Sequence, residues 1–387
     1  MKKVSIITMH RVLNYGSILQ TVALSCFLKQ YGYEVEIIDY LFPNAYHKTI
    51  ASKTSVPESA KSRLDLHLNG LCARILNQKS DDKISKFNKF LQQYLTLSRA
   101  YNTEEELKQL PPNADIYLTG SDQVWNPRYI GTDSSFFLQW VPKSQNSAKI
   151  AYGASFGNSN LPEDFKDLIF PWLKEYSYLF VREDNSLLEQ LRTEYKIVLD
   201  PTLLLDKRDW MKFMNPKPLV KQRYLLCYLL GYSFDSVPYA TKLMDYIHKK
   251  TGYKIVMIDG EPKNILKGYR LFNNIGPEEF LNLFYHAEMI LTTSFHGTAF
   301  AINFGKPFLS LVDDKKDTDT RQISLIKILG LVGNNCVVRN NTPLREVTFP
   351  KYDGQYKQLL NQTRNLSRQY LLNALKNVED SQRLYQV

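Results

Sequence analysis

The chain has 387 residues with the composition of an ordinary globular protein, and this length exceeds what one hydrophobic core usually supports, so we expect two domains. The net charge is +10, but the lysines and arginines are dispersed and no nucleic-acid-binding motif occurs, so an anionic small substrate or an anionic membrane face is a better partner than nucleic acid. Four scattered cysteines without a CxxC pair argue against a zinc site and a disulfide framework, and Cys26 and Cys227 in apolar patterns favour a reducing compartment.

The first predicted unit is a strand, a helix and a second strand, which begins a parallel sheet. The strands cover Lys3 to Met9 and Glu34 to Tyr40, and the helix opens at Asn14-Tyr15-Gly16-Ser17. The turn at Gly16 fits either a phosphate cradle or close packing of the loop against the helix. The apolar part of the N-terminus is too short for a signal peptide or a membrane span, so we expect a cytosolic protein.

Residues 41–80 form a long connection that is rich in Ser, Asn and Lys. Connections of this length in compact domains tend to be functional or disordered. This basic, partly amphipathic excursion could meet an acceptor or a membrane, or it could be a solvated surface segment. A helix from about Ile84 to Tyr94 follows, and Thr103 to Glu106 then matches a capping box that opens a short helix.

A strand from Asp115 to Thr119 leads into a candidate site, Gly120-Ser121-Asp122-Gln123-Val124-Trp125-Asn126-Pro127. Asp122 can accept hydrogen bonds from sugar hydroxyls or act as a base, and Trp125 can offer an apolar face to a sugar ring. The alternative is an Asx-turn beside a packed tryptophan.

Three later strands end in similar polar turns. They cover Ala148 to Tyr152, Tyr178 to Val181 and Ile197 to Leu199, and they end at Gly153, Arg182 and Asp200. Arginine is well suited to hold a carboxylate or a phosphate. Because the carboxyl ends of parallel strands meet at one edge of a sheet, we expect these turns to share one crevice.

The strand and helix pattern restarts after a charged, proline-containing stretch at 206–223, which we take as a linker. We predict an N-terminal Rossmann-like domain at 1–205, a C-terminal Rossmann-like domain at 224–350, and a polar-faced helix at 351–387 that packs back on the first domain. The fold class is therefore α/β, and two such domains facing a cleft resemble the GT-B-type arrangement of many sugar transferases.

The most informative stretch is Thr292-Thr293-Ser294-Phe295-His296-Gly297, which follows a short apolar strand. Its hydroxyl residues favour an N-cap, which places His296 in the first turn of a helix, beside N–H groups that bind anions. This setting suggests a site for phosphate or carboxylate, although a lone histidine after a strand is also a common structural residue. Arg321 opens a later helix and fits either a substrate anion or an ion pair with a nearby aspartate.

Six motifs together resemble the polysaccharide pyruvyl transferase family, and they occur in the family's order over roughly residues 1–330. They are Asn14-Tyr15-Gly16-Ser17-Ile18-Leu19-Gln20, Gly120-Ser121-Asp122-Gln123-Val124-Trp125-Asn126, Ala154-Ser155-Phe156-Gly157, Arg182-Glu183-Asp184-Asn185-Ser186, Asp200-Pro201-Thr202 and Ser294-Phe295-His296-Gly297-Thr298-Ala299.

The resemblance implies transfer of a pyruvyl group from phosphoenolpyruvate to two hydroxyls of a sugar, as a cyclic ketal, during assembly of bacterial surface polysaccharide. The histidine of the family motif falls on His296, which is expected to be essential. Some relatives carry arginine two residues before this histidine, where this chain has Ser294, so Arg182 or Arg321 is expected to supply that anion contact. Phosphoenolpyruvate is a co-substrate, and no cofactor or metal is expected.

We expect the first domain to hold the acceptor and the second to hold the donor. His296 is the expected proton donor or phosphate partner, and Asp122 is expected to orient or deprotonate the acceptor hydroxyl. The expected donor-binding residues are Arg182, Ser294, Phe295, Gly297, Thr298 and Arg321. The expected acceptor-binding residues are Asn14, Gly16, Ser17, Gln20, Ser121, Trp125 and Asn126.

Two other functions fit the same pattern. A GT-B-type glycosyltransferase would bind a nucleotide-sugar in place of phosphoenolpyruvate. A non-catalytic saccharide-binding protein would bind the acceptor without turnover and tolerate replacement of His296. A lipid-linked acceptor, with peripheral contact at the inner membrane face, would suit the basic charge.

Overall fold

A computed structural model describes most of the chain. The described residues are 2–41, 81–142, 147–157, 160–184, 186–190, 194–231, 234–314, 320–331, 336–350 and 355–384. The predicted excursion therefore lies outside the described residues from position 42 onward, as does most of the Asp-rich loop before Arg321.

The first domain is built on a parallel sheet whose strands are buried between helices. The strands are β1 (Lys3–Ile7), β2 (Glu34–Tyr40), β3 (Leu97–Tyr101), β4 (Ile116–Thr119), β5 (Ala148–Ala154), β6 (Tyr178–Val181) and β7 (Tyr195–Ile197). Their order in the sheet is β3-β2-β1-β4-β5-β6-β7. The helices are α1 (Tyr15–Gln30), α2 (81–94 within the described residues), α3 (Glu104–Gln109), α4 (Pro127–Ile130), α5 (Glu163–Leu173), α6 (Ser186–Glu189) and α7 (Lys207–Trp210).

The second domain repeats this construction with a smaller parallel sheet. Its strands are β8 (Tyr224–Tyr228), β9 (Lys254–Ile258), β10 (Arg270–Phe272), β11 (Met289–Thr292), β12 (Phe308–Val312) and β13 (Val337–Arg339), in the order β10-β9-β8-β11-β12-β13. The remaining helices are α8 (Val237–Thr251), α9 (Pro277–His286), α10 (Phe295–Phe304), α11 (Thr320–Ile328) and α12 (Gln355–Leu384). Two parallel sheets covered by helices confirm the predicted α/β class.

Each sheet has a point at which its chain order reverses. Strand β1 lies between β2 and β4, and strand β8 lies between β9 and β11. A crevice opens beyond the carboxyl ends of the strands at such a point. The two crevices face each other across the cleft, as the GT-B-type prediction requires.

Helices α1 and α10 are buried on nearly all sides, and one hydrophobic cluster runs through both domains. Tyr15 of α1 stacks on Phe280 of α9 with ring centroids 4.5 Å apart, and its hydroxyl donates to the carbonyl of Ile275 at 3.2 Å. Asn303 of α10 donates in return to the carbonyls of Thr202 and Leu205, both at 2.9 Å. These contacts join the two domains and hold the walls of the cleft at fixed positions.

The C-terminal helix packs back on the first domain, as predicted. Ser367 accepts a hydrogen bond from the N–H of Leu199 at 3.0 Å, and Gln382 donates to the carbonyl of Asp115 at 2.9 Å. Arg364 joins the two domains, because it donates both to the carbonyl of Leu203 and to the side chain of Asn303. The helix therefore braces the first domain along its length.

The stretch 206–223 is a packed connection. Asp206 caps α7 with its side chain, and Trp210 at the end of that helix is fully buried. The Trp210 indole N–H donates to the carbonyl of Thr202 at 2.9 Å. Burial of this tryptophan anchors the predicted linker to the first domain.

Candidate active site

A cavity of about 550 Å³ lies between the carboxyl ends of the two sheets. The loops after β1 and β4 line it from the first domain, and the loops after β8 and β11 line it from the second. Its volume is in the range of small-molecule sites. The predicted site residues that line it are Asn14, Ser17, Asp122, Asn126, Ser294, Phe295, His296 and Arg321.

Asn14 opens helix α1 at the cavity wall. Its side-chain oxygen accepts hydrogen bonds from the N–H groups of Gly16 at 2.8 Å and Ser17 at 3.3 Å, the usual role of an N-cap asparagine. The Ser17 hydroxyl donates to the Asp122 carboxylate at 2.5 Å. Gly16 faces the imidazole of His296 so closely that a Cβ at position 16 would overlap the ring. Close packing is therefore the role that the structure gives to Gly16.

His296 lies in the first turn of helix α10, as the preceding hydroxyl residues predicted. The Ser294 side chain caps this helix by accepting from the N–H of Gly297 at 3.2 Å, and Thr292 accepts from the N–H of Ser294 at 3.0 Å. A Cβ at position 297 would overlap the Thr292 hydroxyl, so the turn requires glycine there. The turn holds His296 at the cavity wall, where it is 6% exposed.

The imidazole of His296 lies against a buried carboxylate of the other domain. Its Nε2 is 3.5 Å from Oδ2 of Asp200, and the same oxygen accepts hydrogen bonds from the Ser121 hydroxyl at 2.7 Å and the Arg182 guanidinium at 3.0 Å. Oδ1 of Asp200 accepts from the N–H and the hydroxyl of Thr202 at 2.9 and 2.7 Å. Asp200 is thus held rigidly and presents its charge to His296 across the domain boundary. The sequence placed Asp200 in a motif without giving it a role.

Burial alone would raise the pKa of both Asp122 and Asp200. The positive charges of His296 and Arg182 outweigh this effect, with help from hydrogen bonds, and hold the pKa of each carboxyl below its ordinary value. Both groups are therefore carboxylates at neutral pH. Two buried negative charges face one guanidinium and one imidazole, so this cluster is electrically neutral when the imidazole carries a proton.

Asp122 has a strained backbone. Its φ of 83° lies in the left-handed region that non-glycine residues rarely adopt, and its carboxylate accepts from the N–H of Gln123 at 2.9 Å. Strain of this kind costs about 1–3 kcal/mol and concentrates at functional sites. Here it accompanies a carboxylate that reaches the cavity surface and is bonded to Ser17.

Arg182, which the sequence assigned to a substrate anion, is engaged by protein groups, and its contact with a substrate stays a prediction. Its side chain is only 1% exposed, its Nη1 donates to Asp200, and its guanidinium lies over the Phe295 ring at 4.6 Å. Its Nη2 is 3.9 Å from Asp122 and, like Nε, has no hydrogen-bond acceptor among the described residues. Arg182 therefore lies behind the cavity wall, where it positions the two carboxylates and Phe295.

Trp125 does not offer a face to a sugar, which corrects the prediction that it binds the acceptor. The side chain is fully buried and stacks on Phe137 with ring centroids 5.4 Å apart. Its indole N–H donates to the carbonyl of Phe136 at 3.2 Å. The packed tryptophan considered as the alternative is what the structure contains.

Four further predicted residues lie behind the cavity wall and support it, and their contact with substrate stays a prediction. They are Gln20, Ser121, Gly297 and Thr298, all of them buried. The Gln20 amide donates to the Thr8 hydroxyl and to the Ser17 carbonyl, both at 2.9 Å, and Thr298 shares a hydrogen bond with Ser310 at 3.1 Å. These bonds hold the N-terminal ends of α1 and α10 in place.

The cavity presents one arginine from each domain. Arg321, at the start of α11, was predicted, whereas Arg128 was missed. Asn126 caps the short helix α4 by accepting from the N–H of Arg128 at 3.0 Å. Burial raises the pKa of Tyr129, and the charges of Arg321 and Arg128 oppose that rise, which places the phenol near both arginines. Asn126-Pro127 after a strand is a helix-start signal. This signal could have indicated that Arg128 lies in the first turn of a short helix at the strand end.

In the parts of the chain that the structure describes, no group of three or more His, Cys, Asp and Glu side chains is placed to hold a metal ion. Nor does any helix there have the length and apolar character needed to cross a membrane. Cys26, Cys227 and Cys336 are free thiols.

The sequence model of the family described as polysaccharide pyruvyl transferase matches residues 14–315. The chain belongs to this family. The match runs from the cap of α1 through the His296 turn, so it includes most of the cavity wall of this pyruvyl transferase family member. Arg321 and helix α12 lie beyond it. No curated protein matches the sequence.

Solved structures resemble the overall course of the chain at low sequence identity. Arabidopsis thaliana UGT89C1 in complex with UDP is 11% identical, covers 94% of each chain and has a TM-score of 0.48. The UDP-GlcNAc 2-epimerase of Methanocaldococcus jannaschii is 16% identical, with 94% of this chain and 91% of that chain covered and a TM-score of 0.43. The E. coli heptosyltransferase WaaC with ADP is 11% identical, with 95% and 99% covered and a TM-score of 0.39.

Proposed function

We propose that this protein transfers a pyruvyl group from phosphoenolpyruvate to two hydroxyls of a sugar, forming a cyclic ketal, in the synthesis of bacterial surface polysaccharide. One observation carries the proposal. His296 occupies the first turn of α10 on the wall of the cavity between the two sheets, with its Nε2 3.5 Å from the buried carboxylate of Asp200. A proton-carrying ring so placed suits a reaction that needs a general acid.

Phosphoenolpyruvate carries a carboxylate and a phosphate, so its site needs several cationic or N–H donors. Arg128 and Arg321 line the cavity from opposite domains, and the first turn of α10 adds backbone N–H groups beside His296. We assign the donor to the wall formed by Ser294, Phe295, His296 and Arg321. We assign the acceptor to the wall formed by Asn14, Ser17, Asp122 and Asn126.

The proposed chemistry balances within this set of residues. A proton adds to the methylene carbon of phosphoenolpyruvate and makes it a methyl group, which leaves an oxocarbenium-like centre at C2. One sugar hydroxyl attacks C2 and loses its proton, the bond from C2 to the phosphate oxygen breaks, and the second hydroxyl closes the ring. The hydroxyls lose two protons. One replaces the proton that was added to the methylene carbon, and the other protonates the released phosphate.

His296 is the proposed proton donor to the methylene carbon, and Asp122 is the proposed acceptor of a hydroxyl proton. Asp122 is a carboxylate at neutral pH and reaches the cavity, as this role requires. Asp200 and Arg182 act through these two residues as positioning residues. A general acid or base of this kind contributes about 10²–10⁴-fold.

Phosphate release from phosphoenolpyruvate tests the proposal, with a panel of galactose- and mannose-type acceptors. We expect release that depends on an acceptor and is abolished in His296→Ala. The matched control is His248→Ala, because His248 lies at the exposed end of α8, far from the cavity lining, and its ring bonds to the carbonyl of Tyr253 at 2.7 Å. Equal release by His296→Ala would remove His296 from the mechanism.

A second measurement separates the proposal from a nucleotide-sugar glycosyltransferase. Phosphoenolpyruvate should raise the thermal unfolding temperature of the protein, because a ligand that binds only the folded state stabilises it. Stabilisation by nucleoside diphosphates together with none by phosphoenolpyruvate would contradict pyruvyl transfer.

A further inference from the structure

A short turn in the second domain exposes two adjacent large apolar side chains. The turn is a 3₁₀ helix at Pro262–Lys267, in which Ile265 is 60% exposed and Leu266 is 92% exposed. Leu266 is the most exposed of the large apolar side chains in the described part of the chain. Two adjacent apolar side chains in water would gain free energy by binding an apolar surface.

The turn is built to project this pair. Gly268 ends it in the left-handed conformation with φ 76°, and its N–H donates to the carbonyl of Ile265 at 2.9 Å. Asn264 and Tyr269 on either side are buried, and the Tyr269 hydroxyl donates to Asp245 of α8 at 2.5 Å. The base of the turn is therefore anchored while its tip extends into solvent.

Cationic side chains flank the apolar tip along the chain, and Lys267 and Arg270 lie over the rings of Tyr269 and Phe272. Lys263, Lys267 and Arg270 are exposed, and Glu261 is the one carboxylate between positions 261 and 270. Lys263 and Glu261 form an ion pair at 2.5 Å, with side chains 68% and 50% exposed. A pair so exposed contributes little, and the turn keeps a net positive charge.

The turn lies at the cavity edge of the second sheet. It follows β9, and because all strands of this sheet are parallel, the carboxyl end of β9 lies at the same edge as those of β8 and β11. Asp259 at the end of β9 forms an ion pair with Lys83 of α2 at 2.7 Å, so the turn adjoins the boundary between the domains. A surface bound at the tip would lie beside the cleft.

We propose that Ile265 and Leu266 insert into an anionic phospholipid membrane, with Lys263, Lys267 and Arg270 against the headgroups. Apolar side chains flanked by cations bind such an interface through burial and charge attraction together, and the whole chain adds to the attraction with a net charge of +10. Two residues on a protruding turn are too few for a stable protein interface, which needs about 1,000 Å². The docked protein would present its cleft to a membrane-anchored acceptor.

Binding to lipid vesicles tests this inference without any turnover, so its outcome is separate from that of the proposed function. The full chain is sedimented with vesicles of phosphatidylcholine alone and with vesicles of phosphatidylcholine mixed with phosphatidylglycerol. We expect binding to the mixed vesicles only, weakened by salt. Leu266→Ser should weaken it about tenfold through lost burial. Lys263→Gln with Lys267→Gln should weaken it about tenfold or more through lost charge.

The matched control is Leu110→Ser, because Leu110 is another exposed leucine, at 58%, and lies outside the turn. This variant should bind like the unchanged protein, and thermal unfolding should show all variants folded. Binding that Leu266→Ser leaves intact would overturn the proposal, as would the absence of binding to mixed vesicles. Self-association that Leu266→Ser abolishes would assign the tip to a second copy of the chain and would also overturn it.

Discussion

Gly16→Ala tests whether the two domains assemble the His296 site by direct packing. The added Cβ would overlap the imidazole, with Nδ1 as the nearest atom. Because non-bonded carbon and nitrogen atoms normally approach to about 3.5 Å, the ring must move by about 1 Å or more. The overpacking costs about 1–3 kcal/mol, partly offset by the helix propensity that alanine adds, which is about 1 kcal/mol.

We expect kcat for pyruvyl transfer to fall about 10²-fold, since a misplacement of about 1 Å has that effect on catalytic geometry. Steady-state phosphate release measures kcat, and a crystal structure of the variant locates the imidazole. Gly231→Ala is the control, because a Cβ there has nothing within 4 Å and φ is not positive. Unchanged kcat in Gly16→Ala, with the ring in its original place, would refute the packing role.

Arg128→Gln and Arg321→Gln should each raise the KM for phosphoenolpyruvate about tenfold to a hundredfold in steady-state kinetics, since a hydrogen bond to a charged group contributes about 1.5–3 kcal/mol. Arg345→Gln, at an exposed arginine, should leave that KM unchanged. If it raised the KM as much as the other two substitutions, Arg128 and Arg321 would not be assigned to phosphoenolpyruvate binding. Asp200→Asn should lower the free energy of unfolding by about 3–5 kcal/mol in urea titrations, because a buried guanidinium loses its carboxylate. The folded pKa of Asp200 is lowered, so its stabilisation is present above the unfolded pKa of about 4 and is lost as pH falls below that value. Stability should therefore decrease more steeply below about pH 4 in the unchanged protein than in Asp200→Asn, and parallel curves would contradict this reasoning. Trp125→Ala should cost about 3–5 kcal/mol of stability, and a folded variant whose only defect is a raised acceptor KM would contradict its place in the core.

Periodicity and caps predicted the elements around the cavity well. Asn14 and Ser294 open α1 and α10 as their side chains predict, because a cap acts on N–H groups two or three residues away. One strand is displaced: Ile197 to Leu199 was expected, but β7 covers Tyr195–Ile197. Val198 still donates to the carbonyl of Val181 at 2.8 Å, so the chain leaves the sheet gradually toward Asp200.

The sequence could not decide which polar residues would face the cavity. A strand end exposes one side chain and buries the next, so Asp122 reaches the cavity whereas Ser121 bonds to Asp200 beneath it. The hydrogen bond from Arg182 to Asp200 could not be predicted, because the two residues lie 18 positions apart along the chain. The contact of Gly16 with His296 joins two domains and has no local signature. Such pairings appear only when the two sheets are placed face to face.

The domain boundaries and the substrate roles of the site residues stay predictions. Of the alternatives left open by the sequence, the packed tryptophan is the one that the contacts show. Gly16 packs closely against His296, and its predicted role toward a ligand stays a prediction. The predicted alternative of an ion pair between Arg321 and an aspartate of the Asp-rich loop stays open, because residues 315–319 lie outside the described residues.

The most direct test of the central claim is the structure of the product. The protein is incubated with phosphoenolpyruvate and the acceptor that supports phosphate release, and the saccharide is analysed by proton NMR and mass spectrometry. The account predicts one pyruvyl group per acceptor, joined through two oxygens to a carbon that bears a methyl group, and its loss in His296→Ala. A saccharide that gains a sugar from a nucleotide-sugar, or a ketal formed equally well without His296, would contradict it.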